Sequence, residues 1–302
     1  MMKNDETRNE IFPPLPLAAW EATKDTLHLW TQIVGKIRLV QTPLINHFWN
    51  VTLYVSPRGL TTSAMPYERG IFEIEFDFID HQLVIKTSAG EIKTILLEPK
   101  TVAQFYEELL ATLRSIGIEP KLRAIPDELP EPIPFAEDTT HKSYDTEYAT
   151  RFWRALIQVD KIFSEFRSQF IGKVSPVHFF WGSFDLAVTR FNGEPAPERA
   201  DADYITREAY SHTVISHGFW LGGNGMDAAF YAYAAPEPEG FKTAQVKPEK
   251  AFYSAEMNEF FLMYEDVRQA ANPKAALMDF LNSTYDAAAN LANWKRDELE
   301  RK

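Results

Sequence analysis

A proline-rich segment in the middle of the chain constrains the fold more than any other feature of the sequence. Residues 126–134 read PDELPEPIP, and proline removes a backbone donor, so this stretch can form neither a helix nor a central strand. It predicts a semi-rigid connector over residues 126–140. The connector separates a first half, residues 13–125, from a second half, residues 141–302. A chain of 302 residues corresponds to about two domains at roughly 150 residues each.

The first half has the pattern of a helix, an antiparallel meander and a second helix. Phe72, Ile74, Phe76 and Phe78 alternate with acidic residues, which is the period of a strand with one face in the core and one in water. A capping-box spacing at Thr101 marks the start of the second helix. The predicted helices cover 17–34, closed by Gly35, and 102–116, and the predicted strands cover 47–55, 60–65, 72–78, 83–87 and 92–97.

The second half repeats that order. Apolar residues at helical spacing predict a long helix over residues 146–170, and Asn272-Pro273 supplies an N-cap and first-turn proline for a closing helix. Strands are predicted at 178–191, 213–221 and 228–234. The predicted fold class is therefore α+β: two related halves, each an antiparallel sheet flanked by helices.

Short similar strings support an internal duplication. Residues 31–36, TQIVGK, resemble residues 168–173, SQFIGK, and a His-aromatic string follows each of them, at 47–49 and at 178–181. We therefore predict that an ancestral half-length unit was copied. Chance similarity between two helix ends is the alternative.

Composition excludes several classes of function. The absence of cysteine excludes disulfides, thiolate metal sites and thiol nucleophiles. A net charge of −12 with no run of Lys or Arg predicts that the protein does not bind nucleic acid. Residues 1–12 are predicted to be a flexible N-terminus, and no apolar run approaches the roughly 18 residues of a membrane span. We expect a soluble, cytoplasmic protein that does not interact with membranes.

Residues 175–190 form the segment with the most side chains capable of acid–base or binding chemistry. It carries His178, Asp185 and Arg190 among aromatic side chains that would exclude water and shift pKa values. The alternative is an aromatic core strand in which Asp185 pairs with Arg190 or caps a turn. His212 and His217 are five residues apart and point to opposite faces of a regular strand, so they cannot hold one ion together.

No histidine spacing matches a metal motif, so no metal site is predicted; a site could be assembled only from separate strands, such as those that carry His47, His178 and His212. For any single histidine, a ring satisfied by the backbone is the common alternative to a functional role. Lys36 and Lys173 each follow a glycine at a predicted helix end, where they would either bind an anion or complement the helix C-terminus. The sequence specifies neither a cofactor nor an oligomeric state.

Several long strings resemble a family of mostly bacterial proteins known only as a domain of unknown function. They include TLHLWTQIVGK at 26–36, NHFW at 46–49 and SPVHFFWGSFDLAVTRF at 175–191, and together the strings span almost the whole chain. The resemblance implies one defined fold and no particular reaction. It also implies that certain candidate residues belong to family motifs: His47, His178, Asp185, Arg190 and His212.

These observations lead to a functional hypothesis. A small-molecule pocket is expected at the junction of the two halves, and the protein is expected to be an enzyme or a binding protein for a polar ligand. The expected catalytic residues are His178, His212 and Asp185, with His47, Trp49, Trp181 and Arg190 binding substrate. Either His178 or His212 would be the general acid or base, and Arg190 would be an anion clamp. The alternative is a non-catalytic interaction or scaffold protein whose histidines and aromatic residues are structural.

Overall fold

The computed structural model describes residues 11–302, and their arrangement confirms the α+β class, with two six-stranded antiparallel sheets flanked by helices. The predicted flexible N-terminus lies outside the described residues except at Ile11 and Phe12. Phe12 is buried, and its ring centroid lies 6.1 Å from that of Tyr264. The folded chain therefore already includes Phe12.

The first sheet follows the predicted meander. Its order is β1-β2-β4-β5-β6, with β3 also paired to β4. Phe72, Ile74 and Phe76 of β4 are buried as their alternation predicted, and Phe76 stacks on Phe105 of α2. The predicted capping box at Thr101 is present at the start of α2. The elements of this half are α1 Leu17–Gln41, β1 Tyr54–Val55, β2 Gly59–Thr61, β3 Met65–Tyr67, β4 Gly70–Asp77, β5 Gln82–Thr87, β6 Ile92–Leu96 and α2 Val102–Ser115.

Helix α1 does not end at Gly35, so that prediction is wrong. The helix continues to Gln41, and Gly35 lies within it because the indole of Trp181 packs directly on its backbone. A Cβ at residue 35 would lie 2.2 Å from the Trp181 Cδ1. This glycine is present for close approach rather than for helix termination.

The strand predicted at residues 47–55 is largely a 3₁₀ segment, Asn46–Val51, followed by the short strand β1. His47 and Phe48 have φ values of 59° and 56°, which a strand cannot contain. Contacts from the second half hold this conformation: the His47 ring bonds to the carbonyl of Glu208, and Phe48 packs edge-on against Tyr204. Tertiary contacts thus override the strand propensity of these aromatic residues.

The second sheet has the order β11-β12-β10-β9-β8-β7. The single strand predicted at 178–191 is a hairpin that reverses at residues 181–184. The outer strands β11 and β12 were not predicted from the sequence. The elements of this half are α3 Thr146–Ser168, β7 His178–Phe180, β8 Asp185–Pro195, α4 Tyr204–Ala209, β9 His212–Trp220, β10 Ala229–Ala235, β11 Phe252–Ser254, β12 Glu259–Met263, α5 Tyr264–Arg268, α6 Pro273–Leu291 and α7 Arg296–Leu299.

The two faces of the second sheet are covered differently. Helices α3 and α6 cover one face, where His217 of β9 lies against Phe166 and bonds to Thr284 at 3.0 Å. The opposite face, called the open face below, carries α4 and residues 46–51 at one end. Along its middle, Tyr231 and Tyr233 are half-exposed. The open face is therefore the side of this sheet that a ligand can reach.

The two halves share one hydrophobic core rather than forming separate ones. Leu53, just before β1, and Phe179 of β7 exchange two backbone hydrogen bonds of 2.9 Å, which joins the two sheets. The connector packs against α1, where Gln32 bonds twice to the backbone of Asp127 and Lys36 forms an ion pair with its side chain.

The proposed duplication stays a prediction. Each half begins with a long helix and contains a six-stranded antiparallel sheet; one helix follows the sheet of the first half, and three follow that of the second, in which α4 also interrupts the strands. The similar strings, however, occupy different positions, because residues 31–36 lie inside α1 while residues 168–173 begin at the last residue of α3.

Candidate functional site

Asp185, the first residue of β8, is the most unusual polar group on the open face. Only 3% of it is exposed, and its carboxylate accepts hydrogen bonds of 2.5 Å from Ser183 and from the hydroxyl of Tyr231. Burial raises the pKa of Asp185 to about 6, although both hydrogen bonds favour the ionised form. The group therefore titrates close to physiological pH.

Tyr231 reaches Asp185 only because Gly218 lies between them. Tyr231 is on β10 and Asp185 on β8, with Gly218 of β9 opposite Tyr231 in the register. A Cβ at residue 218 would lie 2.1 Å from the Tyr231 Cζ, so the phenol ring lies flat across the glycine. A glycine inside a strand is explained here by the close approach of a side chain.

A second acidic group with a raised pKa lies on the same face. Burial and the nearby charge of Asp185 raise the pKa of Glu259 on β12 to about 7. Next to it, the hydroxyls of Tyr233 and Tyr210 are 2.8 Å apart. These residues line a cleft of about 460 Å³ that also includes Arg199, Glu237 and Asn258.

The connector contributes a third carboxyl group. The ion pair and hydrogen bonds at Asp127 fix the chain next to α1, which places the Glu128 side chain against Gly182. Partial burial raises the pKa of Glu128, and the charges of Asp185 and Asp127 add to the rise. Acidic groups from the second half and from the connector thus meet at one end of β8.

Four of the expected site residues form one aromatic cluster on the open face. The ring centroids of His47 and Trp49 are 5.4 Å apart, those of Trp49 and His178 are 5.8 Å apart, and those of His47 and His212 are 5.6 Å apart. His178 shares its face with Asp185, since it pairs with Ala187 two residues along β8. The structure therefore brings His47, Trp49, His178, His212 and Asp185 to one surface.

The buried histidines in this cluster are neutral. His178 is fully buried, and burial lowers its pKa to about 3, which is poorly matched to acid–base work near neutral pH. Its Nδ1 has no hydrogen-bond partner, and its Nε2 lies 3.4 Å from the Tyr54 hydroxyl. Burial and the charge of Lys173 lower the pKa of His47. His212 is half-exposed, and its Nδ1 lies 3.0 Å from the Ser211 hydroxyl.

Arg190 and Trp181 do not belong to this surface. Arg190 is five residues from Asp185 on one strand and therefore points to the helix-covered face, where its guanidinium lies 3.5 Å from the Phe166 ring centroid and bonds to the Phe166 carbonyl. Trp181 lies in the β7–β8 turn, packs on Gly35 and donates to the Val51 carbonyl at 2.7 Å. Neither an anion clamp at Arg190 nor the alternative Asp185–Arg190 pair is present.

Comparison with known families places the chain within one of them. Residues 12–301 match the model of DUF5996, a family of unknown function. The chain belongs to this family. No curated protein and no solved structure gave a match. The resemblance to a family of unknown function is confirmed, and DUF5996 membership assigns no reaction.

Two further findings concern metals and membranes. In residues 11–302 of this DUF5996 protein, no three His, Asp or Glu side chains are grouped so that they would hold a metal ion. Over the same residues, every helix is too short or too polar to cross a bilayer.

Sequence reasoning missed several residues of the acidic surface in this DUF5996 chain. Tyr231 and Tyr233 were visible as a period-two pair in the predicted strand 228–234, and Gly218 as a glycine inside another predicted strand. No local sequence pattern marked Glu128 or Glu259 as functional residues. The connector and the unpredicted strand β12 bring them to Asp185.

Proposed function

We propose that this protein binds a small polar molecule on the open face of the second sheet and performs acid–base chemistry on it with carboxyl groups. Asp185 is the principal proton-carrying residue, and Glu259 is its partner. The observation that carries this proposal is the position of Asp185, a buried carboxyl group that titrates near pH 6 and is held by Tyr231 across Gly218. This proposal transfers the acid–base role from His178 to Asp185.

The pKa values suit proton transfer at neutral pH. A general acid or base works best when its pKa lies near the operating pH. Asp185, with a pKa of about 6, and Glu259, with a pKa of about 7, both meet that condition. Each negative charge also disfavours the other, so one carboxyl group ionises before its neighbour. Two coupled groups whose proton affinities differ are typical of acid–base sites.

The chemistry of the surface favours a ligand that carries amine or hydroxyl groups. Asp185 lies within electrostatic range of two other carboxyl groups, Glu128 and Glu259, and Glu259 lines a cleft with Tyr210 and Tyr233. An ammonium group on a ligand would stabilise the ionised carboxylates, and ligand hydroxyls would donate to them. The cleft also holds one cation, Arg199, but the carboxyl groups outnumber it, so an anionic ligand is disfavoured. This acidic surface meets the connector at Glu128, but the residues that line its cleft all belong to the second half, and the pocket expected at the junction of the halves stays a prediction.

A binding screen with matched variants tests the proposal. We suggest a thermal-shift screen of spermidine, putrescine, glucosamine and glucose, with citrate and inorganic phosphate as anionic references. Compounds that stabilise the wild-type protein are then titrated by calorimetry into Asp185→Asn and Asp160→Asn. Asp160 is a matched control, since burial also raises its pKa to about 6 while it lies on α3, away from the open face.

We expect at least one amine or polyol to stabilise the wild-type protein and Asp160→Asn. The same compound should bind Asp185→Asn at least about tenfold more weakly, the loss expected when one hydrogen-bonded charge is removed. Equal affinity for both variants, or stabilisation by the anions alone, would contradict the proposal.

The non-catalytic alternative has one observation in its favour. His47, His178, Trp181 and Arg190 are all buried, as an interaction or scaffold protein with structural histidines would have them. A screen without any binder on the open face would favour that alternative. The absence of nucleic-acid and membrane partners and a cytoplasmic location stay predictions from composition.

A further inference from the structure

Lys173 lies against two aromatic rings beside the histidine cluster and is not explained by the proposed function. It follows Gly172 beyond the end of α3, and its Nζ lies 5.5 Å from the Trp49 ring centroid and 5.1 Å from that of Phe191. The side chain is half-buried. The ammonium group therefore sits at an accessible but poorly hydrated position.

The ammonium group lacks a carboxylate partner within the part of the chain that the structure describes. No aspartate or glutamate oxygen of residues 11–302 lies within ion-pair distance of the Lys173 Nζ. Lys36 provides the contrast inside the same protein, because it lies 5.6 Å from the Trp181 ring centroid and is paired with Asp127. Of these two lysines on tryptophan rings, only Lys36 has its charge balanced.

The hydrogen-bond partner of Lys173 is an oriented imidazole. Its Nζ lies 2.6 Å from the His47 Nε2. The His47 Nδ1 lies 3.1 Å from the Glu208 carbonyl and 3.2 Å from that of Ala209. A carbonyl only accepts, so Nδ1 carries the proton and Nε2 accepts from the lysine. An amine and a base within hydrogen-bond reach, with the base oriented by a third group, is the arrangement of an activated nucleophile.

Burial also favours the nucleophilic, unprotonated form of Lys173. It lowers the pKa of the amine, which increases the fraction that is unprotonated and able to attack. If His47 takes a proton on Nε2, its Nδ1–H still donates to the same two carbonyls. Burial and the Lys173 charge lower the pKa of His47, whereas its two carbonyl contacts raise it, so His47 holds the proton only transiently.

We propose that Lys173 is a nucleophilic amine that condenses with an aldehyde or ketone to form an imine, with His47 as the base that accepts the proton of the ammonium group. The free amine attacks the carbonyl carbon, and a C–N bond forms while the carbonyl oxygen takes up a proton. Protonation of the resulting hydroxyl breaks the C–O bond. One water leaves, the nitrogen loses its second proton, and the C=N bond forms without an oxidant or reductant. The aromatic rings beside the amine favour a carbonyl compound with a planar, apolar portion.

This site is separate from Asp185, although Trp49 and Phe191 pack in one small cluster with Tyr210 and Tyr233 of the acidic surface. Lys173 packs on Phe191, which is six residues from Asp185 along β8. At about 3.3 Å per residue, this separation is close to 20 Å. Failure of the Asp185 proposal would therefore leave the Lys173 proposal standing, and each has its own readout.

Site-resolved reductive labelling tests the proposal. The intact protein is incubated at pH 7 with benzaldehyde and sodium cyanoborohydride, which reduces an imine to a stable benzylamine, and peptide mass spectrometry gives the rate at each lysine. Lys36 is a buried, ion-paired internal reference, and exposed Lys93, an ordinary lysine, is the reference that decides. We expect Lys173 to react at least about tenfold faster than either reference, a threshold below the roughly hundredfold that a positioned base contributes at the low end.

The variant His47→Asn separates activation from simple accessibility. Loss of the base should lower the Lys173 labelling rate about tenfold while the rates at Lys36 and Lys93 stay unchanged. The circular dichroism spectrum checks that the variant is folded. Labelling of Lys173 no faster than Lys93 in the wild-type protein, a comparison that needs no variant, would overturn the proposal. An unchanged rate in folded His47→Asn would overturn the role of His47.

Discussion

At the scale of single residues, the carboxyl group of Asp185 makes the folded protein less stable at neutral pH. Its pKa is about 6 when folded against an ordinary value of 3.8. Between about pH 4 and pH 6 the folded state therefore binds more protons than the unfolded state, and the free energy of unfolding falls as pH rises through that window. Residues retained at such a cost are typical of functional sites.

The variant Asp185→Asn measures this cost. An amide cannot ionise, so the variant should gain stability relative to the wild-type protein as pH rises from 4.5 to 7.5. The relative gain should reach up to about 3 kcal/mol, which corresponds to the change in pKa. Urea unfolding of both proteins at the two pH values gives the result. A stability difference that does not change with pH would show that Asp185 titrates normally.

Three neutral histidines make the free energy of unfolding rise with pH, which is opposite to the effect of Asp185. Their contribution cancels when the variant is compared with the wild-type protein. Burial lowers the pKa of His28 to about 4 and the pKa values of His178 and His217 to about 3. The unfolded state binds more protons at these sites below about pH 6.5, so their contribution to stability is lost as pH falls toward the folded values. The contribution is the same in both proteins and leaves the variant difference intact.

At the scale of elements, Gly35 shows how a contact between the halves determines a residue inside a helix. Alanine favours a helix over glycine by about 1 kcal/mol, yet a Cβ here would overlap Trp181. We expect Gly35→Ala to lower the free energy of unfolding by about 2 kcal/mol, because Trp181 must move away from its buried site.

A second background tests that explanation. In Trp181→Ala the overlap is absent, so adding Gly35→Ala should stabilise the protein by up to about 1 kcal/mol. Urea unfolding of the four proteins gives the double-mutant cycle. Destabilisation by Gly35→Ala of the same size in both backgrounds would mean that the Trp181 contact is not the cause.

Elements with a strong internal period were predictable from the sequence. The alternation in β4, the capping box of α2 and the Asn272-Pro273 start of α6 are local signals, and each is confirmed. The 3₁₀ segment at Asn46–Val51 was not predictable, because partners more than 150 residues away hold it. The short outer strands β11 and β12 gave too few residues for a period.

The candidate site was predictable only in part, for a physical reason. The segment 175–190 was identified, and Asp185 and His178 do share the open face with His47, Trp49 and His212. The acidic surface depends on register across β8, β9 and β10 and on where the connector packs, which no local pattern specifies.

At the scale of the whole molecule, the shared core makes the two halves one cooperative unit. The Leu53–Phe179 pairing, the Trp153 bond to the Ser56 carbonyl at 3.1 Å and the connector bonds to α1 all link the halves. We expect one unfolding transition in urea, with coincident midpoints from tryptophan fluorescence and far-ultraviolet circular dichroism. Two separated transitions would show that each half folds independently.

The contacts between the connector and α1 also place Glu128 on a surface that the second half otherwise forms. The proposed site therefore requires the intact chain. The direct measurement of its central group is a carbon-13 NMR titration of the Asp185 carboxyl carbon, with and without the amine or polyol that binds best. The predicted pKa of free Asp185 is about 6, falling by about one unit or more when a bound ammonium group stabilises the carboxylate. A pKa of about 4 in the free protein, or one that no compound changes, would contradict the assignment of acid–base chemistry to this residue.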